Sequence, residues 1–448
     1  MNVSLRRQAI NLYERVNGRH ILARLAELNR IQWLSREELL AYQQDKLQRL
    51  LKSAYTFVPY YRRLFDQVGF RPDDILADPA AFQKVPTSSK SIVHDHFDEL
   101  ITTDPGRQGQ LAQNSTGGST GSPLVFIQDY NFRDYVMAGV HWHMQWPGWE
   151  FGESHAYLWG ADYEVITQKT IRARALDWSL NRVVCNAFTL SEESMMAFTR
   201  KIRRTHPKVL SGYASALERF AKFVQAHHMD DIKFTGVISN SEVLYPRQRE
   251  LFERTFDCVV LNRYATRELG GIACECPEHM GLHIGVGEVY VEILRDGVPV
   301  PVGEEGDVVV TNLNNYGMPF IRYHVGDVAQ LSDKVCRCGR GLPLMEVVHG
   351  RSSDMLRTKD GRVVHPAFFT HTFFDMREVK QFQITQKSYD HIIVSLVEQG
   401  KLSPEQLAFL EQHIKGTFGS EVKVEIELLD AIPLKPSGKY RFIICEVE

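Results

Sequence analysis

The sequence contains no run of eighteen or more apolar residues, and roughly that length is needed for a helix to cross a bilayer. The segment MNVSLRRQAINLYERVNGRH, with which it begins, lacks the continuous apolar core of a secretory signal peptide. Both absences argue against an exported or membrane-spanning protein, and we expect a cytoplasmic location. The cysteine count of seven is odd, so reduced thiols are expected, with metal binding as the use of any cysteine cluster.

An excess of charge of either sign is also missing, because 52 Lys and Arg residues accompany 55 Asp and Glu residues, for a formal net charge of -3. This balance gives no reason to expect binding to nucleic acid or to an anionic membrane. The sequence has no internal repeat and no low-complexity tract. Its 448 residues exceed the roughly 250–300 at which one hydrophobic core stops growing, so at least two domains are expected.

The hydrophobic pattern divides the chain into regions. Residues 1–100 are predicted to be helical, with a capping box from Ser35 to Glu38 and a helix stop at Pro59. Residues 101–350 alternate short β-rich runs with helical patterns, which predicts an α/β core. The predicted helices there are Ser191–Thr205 and Ala214–His227. The predicted strands are Leu124–Gln128, Ala156–Trp159, Val183–Ala187, Val209–Gly212, Gly236–Ser239, Val259–Arg263, Val289–Leu294 and Val308–Leu313.

After Gly350 the pattern changes to that of a small α+β domain, expected over residues 355–448 and large enough for its own core. A capping box from Ser403 to Gln406, with Pro404 at the first helical position, predicts a helix. The predicted strands of this domain are Gln381–Gln386, His391–Glu398 and Val422–Leu428. The sequence therefore predicts a large N-terminal α/β domain followed by a small domain.

The segment Asn114–Pro123, reading NSTGGSTGSP, is rich in glycine and hydroxyl residues. Glycine allows positive φ, and successive amide groups in such a turn form a concave nest for an anion, to which hydroxyls add donors. No Lys follows the glycines, so this is not the P-loop pattern. The alternative is a polar surface linker, but the apolar run Leu124–Ile127 follows at once. The sequence favours a phosphate-holding hairpin loop.

Polar residues also follow two predicted strands. Tyr264 and Glu268 come after the strand that ends at Arg263, and Ser241 and Glu242 come after the strand that ends at Ser239. Ligands in open α/β sheets gather at the carboxyl ends of strands. An aromatic ring there can stack on a purine, and a carboxylate can hold Mg²⁺ together with phosphate oxygens. Taken alone, a buried Tyr and a solvated Glu are the commoner interpretation.

These segments, taken together, resemble the adenylate-forming superfamily of acyl-CoA synthetases and adenylation domains. STGGSTGSP resembles its phosphate loop, and Tyr264 to Glu268 resembles its Tyr-Gly-x-Thr-Glu segment, with Ala265 in place of Gly and Arg267 in place of Thr. The segments MPFIRYHVGD (318–327), GRSSDML (350–356) and PLKPSGKYR (433–441) resemble further motifs of its phenylacetate-CoA ligase-like group. The segments VPYYR (58–62) and FQKVP (82–86) resemble the branch of that group found in capsular polysaccharide biosynthesis.

The resemblance implies roles for individual residues. Lys439 and Glu268 would be catalytic, with Glu268 also contacting Mg²⁺, and Asp354 would be the hinge between the domains. Asp327 would accept hydrogen bonds from the ribose hydroxyls, which suits a carboxylate because both oxygens can accept. The implied ATP-binding residues are Ser115, Thr116, Gly117, Gly118, Ser119, Thr120, Gly121, Ser241, Glu242, Arg263, Tyr264, Asp327 and Arg351. The implied substrate-pocket residues are His141, Tyr213 and Ser215, although packed core aromatics are the commoner use of such side chains.

Two close cysteine pairs, Cys274 with Cys276 and Cys336 with Cys338, have His279 and His283 near them, and Cys and His side chains suit Zn²⁺. Each pair has a single intervening residue, which is shorter than the usual zinc-knuckle spacing, and Cys274 and Cys276 are not expected to bind the same ion. The family pattern EC…GlH…C.CGR implies a structural Zn²⁺ on Cys276, His283, Cys336 and Cys338. The alternative is a set of reduced thiols without metal.

The expected activity is therefore that of an AMP-forming ligase that uses ATP and Mg²⁺ to convert a small carboxylic acid, such as an aryl acid, into an acyl-adenylate. The expected acceptor is coenzyme A, and the C-terminal domain would act as a mobile lid. The first alternative is an amide-forming ligase that transfers the acyl group to an amine in surface-polysaccharide or secondary-metabolite biosynthesis. The others are a non-catalytic nucleotide-binding relative and a scaffold protein, and the presence of Glu268 and Lys439 argues against the first of these two.

Overall fold

The computed structural model describes residues 3–115, 124–159, 180–187, 190–349, 356–360, 363–364, 369, 372–373, 376, 378–432 and 443–447. The chain divides into two compact units, which are Met1–Val325 with Ala329–Glu346, and Gly326–Val328 with Val347–Glu448. Within the described ranges, no helix combines the length and the apolar character that a membrane span requires.

Several helices of the described ranges begin at a capping side chain, including those capped by Ser35, Ser89 and Asp129. Ser35 caps the longest of them through a capping box with Glu38, and that helix ends at Phe57, ahead of Pro59. In chain order the helices are α1 (Val3–Asn17), α2 (Ile21–Ile31), α3 (Arg36–Phe57), α4 (Pro59–Gln67), α5 (Asp74–Ala77), α6 (Lys90–Asp95), α7 (Phe97–Leu100), α8 (Tyr130–Gln145), α9 (Glu192–Thr205), α10 (Ala214–Ala226), α11 (Pro246–Phe256) and α12 (Pro404–Phe418), with 3₁₀ turns at Pro79–Lys84 and Gln108–Gln110.

The strands of the larger unit form one long sheet and a separate hairpin, β1–β2. The sheet has the order β11-β10-β12-β13-β14-β9-β8-β7-β6-β5-β3-β4. The strands are β1 (Ala112–Ser115), β2 (Val125–Gln128), β3 (His155–Leu158), β4 (Arg182–Cys185), β5 (Val209–Tyr213), β6 (Gly236–Asn240), β7 (Val259–Thr266), β8 (Gly270–Glu275), β9 (Leu282–Ile284), β10 (Val289–Arg295), β11 (Val298–Pro299), β12 (Glu305–Asn312), β13 (Tyr323–Ser332) and β14 (Leu344–His349).

One part of this sheet is parallel, from β7 through β6, β5 and β3 to β4. Helix α10 connects β5 to β6 and α11 connects β6 to β7, so the chain runs in βαβ units. Strand residues such as Leu210, Val237 and Val260 are buried against Phe220 and Phe252 of these helices. The parallel arrangement brings the carboxyl ends of β5, β6 and β7 to one edge of the sheet.

The smaller unit has its own sheet, in the order β19-β18-β17-β20. Strands β17 and β18 are antiparallel, whereas β19 and β20 pair in parallel with their neighbours. Apolar residues of α12, including Leu410 and Ile414, pack on the sheet residues Ile384, Ile392 and Val394. The strands of this unit are β15 (Leu356–Arg357), β16 (Val363–Val364), β17 (Val379–Ser388), β18 (His391–Glu398), β19 (Lys423–Leu428) and β20 (Ile443–Cys445).

The predicted α/β class is confirmed, and so are the predicted helices, since Ser191 caps α9 and Ala214 begins α10. The predicted strand Val259–Arg263 is longer than expected, because β7 continues to Thr266 in a ladder with β8. Strand β8, which begins with Gly270 and Gly271, was not predicted. Glycine is depleted in strands and carries no side chain for a hydrophobic pattern.

Candidate active site and metal centre

The carboxyl ends of β5, β6 and β7 lie side by side. Tyr213 pairs with Asn240, and Asn240 pairs in turn with Arg263. The next residues along each strand are those that the sequence analysis selected, namely Ser215, Ser241, Glu242, Tyr264 and Glu268. The topology therefore places these segments of the predicted site at one edge of the sheet, as is typical of ligand sites in α/β folds.

Ser215 and Glu242 join two of these strand ends. The carboxylate of Glu242 accepts hydrogen bonds from the Ser215 amide (2.7 Å) and from its Oγ (3.0 Å). Ser215 belongs to the first turn of α10, where amide groups without helical partners favour an acceptor with negative charge. Next to this contact, Tyr213 stacks on Trp159 with ring centroids 4.5 Å apart. The loop after β6 is thereby held against the start of α10.

Arg263 lies at the end of the β6 pairing with β7 and is buried. Its Nε donates to Nδ1 of His143 (3.1 Å), and its Nη1 donates to Oδ1 of Asn240 (3.3 Å). Asn240 in turn donates to Oγ of Ser211 on β5 (2.7 Å). These contacts connect β5, β6 and β7 with α8. The predicted contact of Arg263 with a nucleotide stays a prediction.

The turn between β7 and β8 carries Glu268 and lies beside the β1–β2 hairpin. The β7–β8 pairing has an irregularity between Tyr264 and Ala265, and such bulges redirect side chains next to functional sites. Nη1 of Arg267 donates to the carbonyl oxygen of Ser115 (3.2 Å), and Nε2 of Gln128 donates to the carbonyl oxygen of Arg267 (3.3 Å). Ser115 ends β1 and pairs with Val125 of β2. The Glu268 turn is therefore attached to both strands that flank the predicted phosphate loop.

Several predicted residues lie outside the described ranges. They are Thr116, Gly117, Gly118, Ser119, Thr120 and Gly121 of the phosphate loop, together with Arg351, Asp354 and Lys439. Asp327 is described; it lies half-buried on β13, directly after Gly326 at φ 87°. The roles of all of these residues stay predictions.

Sequence reasoning missed a group of buried asparagines after β12. Asn312 donates to the carbonyl oxygen of Leu269 (2.6 Å), in the turn that carries Glu268. Asn315 donates to the carbonyl oxygens of Ile127 (2.9 Å) and Met318 (3.0 Å). The group connects the β1–β2 hairpin, the Glu268 turn and the MPFIRY segment. The signal in the sequence is the run Asn-Leu-Asn-Asn at a strand end, because buried amides need hydrogen-bond partners.

Sequence reasoning also assigned no role to Tyr61 of the VPYYR segment. Its buried hydroxyl donates to the carbonyl oxygen of Pro319 (2.9 Å) and accepts from the amide of Ile321 (3.2 Å). In the same MPFIRY segment, Arg322 forms a buried bidentate ion pair with Glu292, and both N–O distances are 3.0 Å. These contacts hold the segment before Asp327 between the helical region and the sheet.

His141, which was predicted to line the substrate pocket, lies in an aromatic cluster of the described residues, and its pocket role stays a prediction. Only 2% of it is exposed, and its ring contacts Trp149, Phe151 and His155 at centroid distances of 5.4, 5.1 and 6.2 Å. Burial lowers the pKa of His141 to about 4 and that of His155 to about 3. This environment favours a packing role for neutral imidazoles. Tyr213 and Ser215 remain at the strand-end site.

The four side chains selected for zinc lie together in the larger unit. The ligand atoms of Cys276, His283, Cys336 and Cys338 are all within 4.8 Å of one another. Sγ of Cys276 is 3.5 Å from Sγ of Cys336, and Sγ of Cys338 is 3.4 Å from Nε2 of His283. Ligand atoms around a tetrahedral Zn²⁺ are spaced by about 3.5–3.8 Å, given bond lengths near 2.1–2.3 Å. Three thiols and one imidazole in this arrangement fit a closed structural zinc site.

The surroundings of this cluster support a metal ligand role for His283. Its Nδ1 lies 3.4 Å from the carbonyl oxygen of Leu342, which leaves Nε2 facing the cysteines. Burial and the nearby guanidinium of Arg340 lower the pKa of His283 to about 4, so the ring is neutral near pH 7. Cys274 lies outside the group that the structure brings together, and β8 ends at Glu275, so that Cys276 lies beyond the strand that holds Cys274.

Arg340 attaches the cysteine loop to the helical region. Its guanidinium lies 4.4 Å from the ring centroid of Trp146 and 5.1 Å from that of Trp33. Its Nε also donates to Oε1 of Gln32 (2.8 Å), which accepts from Trp142 as well (3.1 Å). A metal ion at this centre would therefore link the β8–β9 turn to the loop before β14. The linked segments lie next to a packed part of the helical region.

Comparison with known proteins agrees with this geometry. Residues 356–446 match the family model of the CapK C-terminal domain. Protein CapK of Staphylococcus aureus is 24% identical over 376 residues, covering 82% of this chain and 81% of that protein. The phenylacetate-coenzyme A ligase of Thermus thermophilus is 27% identical over 353 residues, covering 73% of each chain. The chain is homologous to CapK and to the phenylacetate-CoA ligases.

The fold agrees with this homology. A crystal structure of 2-hydroxyisobutyryl-CoA ligase, in the postadenylation state in complex with R3-HIB-AMP, matches with a TM-score of 0.74 and 17% identity. The match covers 93% of this chain and 92% of that chain. At this identity the match shows that the chain shares its fold with a CoA ligase.

Removing one cysteine of the cluster tests the metal centre of this homologue. We expect about one Zn²⁺ per chain in protein purified without chelator, and loss of the metal with lowered thermal stability in Cys336→Ser, because structural zinc stabilises the folded state. Elemental analysis gives the metal content. Cys258→Ser is the matched control, since Cys258 is a half-buried free cysteine outside the cluster. A zinc-free wild type, or retention of zinc by Cys336→Ser, would contradict the assignment.

The aromatic cluster around His141 predicts acid sensitivity. Above the ordinary pKa of 6.5, both the folded and the unfolded chain hold neutral imidazoles. As the pH falls below 6.5, the unfolded chain binds protons that the folded chain excludes, so each buried histidine lowers the unfolding free energy by about 1.4 kcal/mol per pH unit. In urea unfolding between pH 6.5 and 4.5, the unfolding free energy of His141→Phe should fall less steeply with decreasing pH than that of the wild type, by that amount per pH unit. His94→Phe, at a side chain that is 82% exposed, should decline like the wild type; equal declines in all three proteins would contradict this account.

Proposed function

We propose that the protein uses ATP to convert a small carboxylic acid into an acyl-adenylate and then transfers the acyl group to coenzyme A. In the first step the substrate carboxylate attacks the α-phosphorus of ATP and pyrophosphate leaves. In the second step the thiol sulfur attacks the acyl carbon, AMP leaves, and the thiol proton is released. The observation that carries the proposal is the homology to a phenylacetate-CoA ligase over 73% of the chain. The adjacent positions of Tyr213, Asn240 and Arg263, which the predicted strand-end residues follow, support it.

The proposed phosphate side of the site consists of Ser115, the loop that follows it and Glu268. The carboxylate of Glu268 fits a Mg²⁺ ligand, because its turn is attached to both strands of the β1–β2 hairpin. When bound, Mg²⁺ would neutralise charge on the phosphates as pyrophosphate leaves. Lys439 would bring an ammonium group to the oxygens on which negative charge accumulates during attack.

The proposed nucleoside side consists of Tyr264, Ser241, Glu242, Asp327 and Arg351. Tyr264 lies on β7, one residue beyond its parallel pairing with β6, and would stack on the base. Asp327 would accept hydrogen bonds from the ribose hydroxyls, with Arg351 pointing at ribose or phosphate. The acyl group would lie near Tyr213 and Ser215, at the start of α10. The protein's contribution to such a displacement is mainly positioning and charge stabilisation.

The second step is proposed to use the C-terminal region, residues 355–448, as a mobile lid. Rotation about Asp354 would remove Lys439 from the site after adenylation and admit coenzyme A. Conformational steps of this kind complete and reset many active sites. The rotation explains how one site would serve two chemically different half-reactions.

The second candidate is an amide-forming ligase, in which an amine of a surface-polysaccharide or secondary-metabolite precursor accepts the acyl group. The observations that favour it are the match to the CapK C-terminal domain over residues 356–446 and the similarity to CapK. The lid region would face the acceptor in the second step, so a change of acceptor is expected to involve this region. Adenylation itself would be the same in both candidates.

Product analysis separates the candidates. Purified protein is incubated with ATP, Mg²⁺ and a panel of aryl and short-chain acids, with coenzyme A or with amino sugars as the acceptor, and the products are identified by mass spectrometry. We expect AMP together with an acyl-CoA for at least one acid. An amide in the absence of any acyl-CoA would favour the second candidate, and the absence of AMP with every acid and acceptor would contradict the proposal.

A further inference from the structure

The side chain of Glu288, which directly precedes β10, is buried in a space that three glycines leave open. A Cβ at Gly139 of α8 would lie 2.7 Å from Oε2 of Glu288 and closer still to Oε1. A Cβ at Gly271 of β8 would lie 2.9 Å from Oε2, and one at Gly285 would lie 3.2 Å from it. A side chain at Gly139 or Gly271 would therefore displace the carboxyl, and the glycines form a cradle for it.

The Glu288 carboxyl faces a cation in this cradle. Within the described ranges, its buried Oε2 has no hydrogen-bond partner, and a buried ionised carboxyl is costly without a nearby opposite charge. The Cβ position at Gly271 lies 2.9 Å from Oε2 of Glu288 and 3.0 Å from Nη2 of Arg263, so both groups border the same space. Burial raises the pKa of Glu288 to about 8, against the opposing effect of the positive charges of Arg263 and Lys46.

The main chain of Glu288 is held on both sides. Its amide donates to the carbonyl oxygen of Gly285 (2.7 Å), and its carbonyl oxygen accepts from the amide of Leu313 (3.0 Å) and from Nδ2 of Asn314 (3.3 Å). The ammonium of Lys46 donates to the carbonyl oxygen of the preceding residue, Gly287 (2.8 Å). The carboxyl therefore extends from a fixed backbone, which limits the positions from which it can act on Arg263.

The guanidinium of Arg263 carries this contact to the strand ends. Its Nε donates to His143 and its Nη1 donates to Oδ1 of Asn240, while Nη2 borders the cradle. Asn240 ends β6 and is followed by Ser241 at φ 63°, a conformation that is uncommon for residues other than glycine. Such conformations persist where surrounding contacts enforce them. The orientation of Arg263 therefore bears on the loop that begins at Ser241 and contains Glu242.

We propose that Glu288 is a positioning residue of the nucleotide site, which orients the Arg263 guanidinium so that Arg263 holds Asn240 and the loop that begins at Ser241. The inference rests on the proposed function, because Ser241 and Glu242 belong to the nucleoside side of that function. It adds to the site a buried carboxyl that acts through Arg263.

Kinetics of acid-dependent pyrophosphate exchange test this role at pH 9, where the Glu288 carboxyl is mostly ionised and Arg263 keeps its charge. Glu288→Gln keeps the size of the side chain and removes its charge. We expect the KM for ATP to rise by about tenfold, since a charged contact is lost, and the KM for the acid to change by less than about twofold. At pH 6.5 the wild-type carboxyl is protonated, so the difference in ATP KM between the two proteins should shrink to less than about threefold.

A second substitution tests whether Glu288 acts through Arg263. Arg263→Gln alone should raise the KM for ATP, and adding Glu288→Gln to it should change that KM by less than about twofold further, because the group that Glu288 orients is already absent. If the two substitutions instead multiplied each other's effects on the KM, Glu288 would act independently of Arg263 and the inference would be overturned.

Gly139→Ala tests the same role with the carboxyl retained, so the result does not depend on the folding of Glu288→Gln. Its methyl group would push the carboxyl away from its position, and we expect the same selective rise in the KM for ATP at pH 9. The matched control is Gly416→Ala on α12, where a Cβ would meet no atom within 4 Å. Glu250→Gln, at an exposed glutamate, is the control for the change of charge, and both controls should resemble the wild type.

The possible outcomes separate this inference from the proposed function. An unchanged KM for ATP in either folded variant, Glu288→Gln or Gly139→Ala, would overturn the inference and leave the proposed function standing. Equal increases in the KM values for ATP and for the acid would show a general structural role and would also overturn it. A wild type without exchange for any acid would refute the proposed function and the inference together.

Discussion

Replacing Lys439 with alanine should nearly abolish formation of the acyl-adenylate from acid and ATP, and should leave transfer from a preformed adenylate largely intact. The reason is that an ammonium group with three donors would reach the phosphate and carboxylate oxygens where negative charge accumulates during attack. Gly438 precedes it and permits a tight turn that projects the lysine side chain. Because the residue belongs to the proposed lid, it would leave the site before the second half-reaction.

Each half-reaction of the Lys439→Ala variant is measured separately. The first is followed by pyrophosphate release from acid and ATP, and the second by product formation from a synthetic acyl-adenylate and the acceptor. Lys401→Ala, at an exposed lysine of the same unit, should behave like the wild type in both. Equal loss of both half-reactions in a folded Lys439→Ala protein would show that this lysine has another role.

Replacing Glu268 with glutamine should slow adenylation by about thirty- to a thousandfold, which corresponds to roughly 2–4 kcal/mol of transition-state stabilisation for a preorganised electrostatic group. The substitution keeps the size of the side chain and removes its charge. Without that charge, Mg²⁺ would be held less firmly beside the leaving pyrophosphate. Arg267, Leu269 and Thr266 hold the turn through contacts that the substitution leaves in place.

Initial rates of adenylate formation over a range of Mg²⁺ concentrations measure the effect of Glu268→Gln. The variant should require more Mg²⁺ for its half-maximal rate as well as having a lower maximal rate. Glu250→Gln, at an exposed glutamate on α11, provides the matched control. Wild-type rates and wild-type Mg²⁺ dependence in folded Glu268→Gln would exclude the proposed metal contact.

The parts of the fold that local pattern specifies could be predicted from the sequence. Ser35 and Ser403 marked helix starts because a hydroxyl followed three residues later by Glu or Gln satisfies end amides within one turn. The parallel strands β5 and β6 could be predicted because strands that are buried on both faces have few charged residues. Both strands are buried along their whole length. Strand β8 was missed since its first residues are glycines.

The candidate site was only partly predictable because its positioning contacts are long-range. The contact of Arg267 with Ser115 spans 152 positions, and that of Tyr61 with Pro319 spans 258. No local pattern specifies such pairs. The buried role of Asn315 depends in the same way on the distant carbonyl oxygen of Ile127, so an asparagine run in the sequence indicated only that its amides would need partners.

The metal centre shows where residue types alone are sufficient and where they are not. Strand alternation does not separate Cys274 from Cys276, because residues two apart on a strand lie on the same face. Strand β8 ends at Glu275, and the structure groups only Cys276 with His283 among the residues that it describes. His279 and His283 could not be distinguished by residue type. The tertiary structure selects His283. The register of β8 with β9 pairs Cys274 with His283, and the later segment that contains Cys336 contributes a cysteine to the same group.

Acid-dependent exchange of labelled pyrophosphate into ATP is the most direct measurement of the central claim, which is adenylation of a carboxylic acid. The exchange reports the reversible first half-reaction alone, so it does not depend on which acceptor follows. With a panel of aryl and short-chain acids, the account predicts exchange that requires Mg²⁺ and appears only when an accepted acid is present. Exchange that stays at background with every acid, in folded protein that binds ATP, would contradict the account.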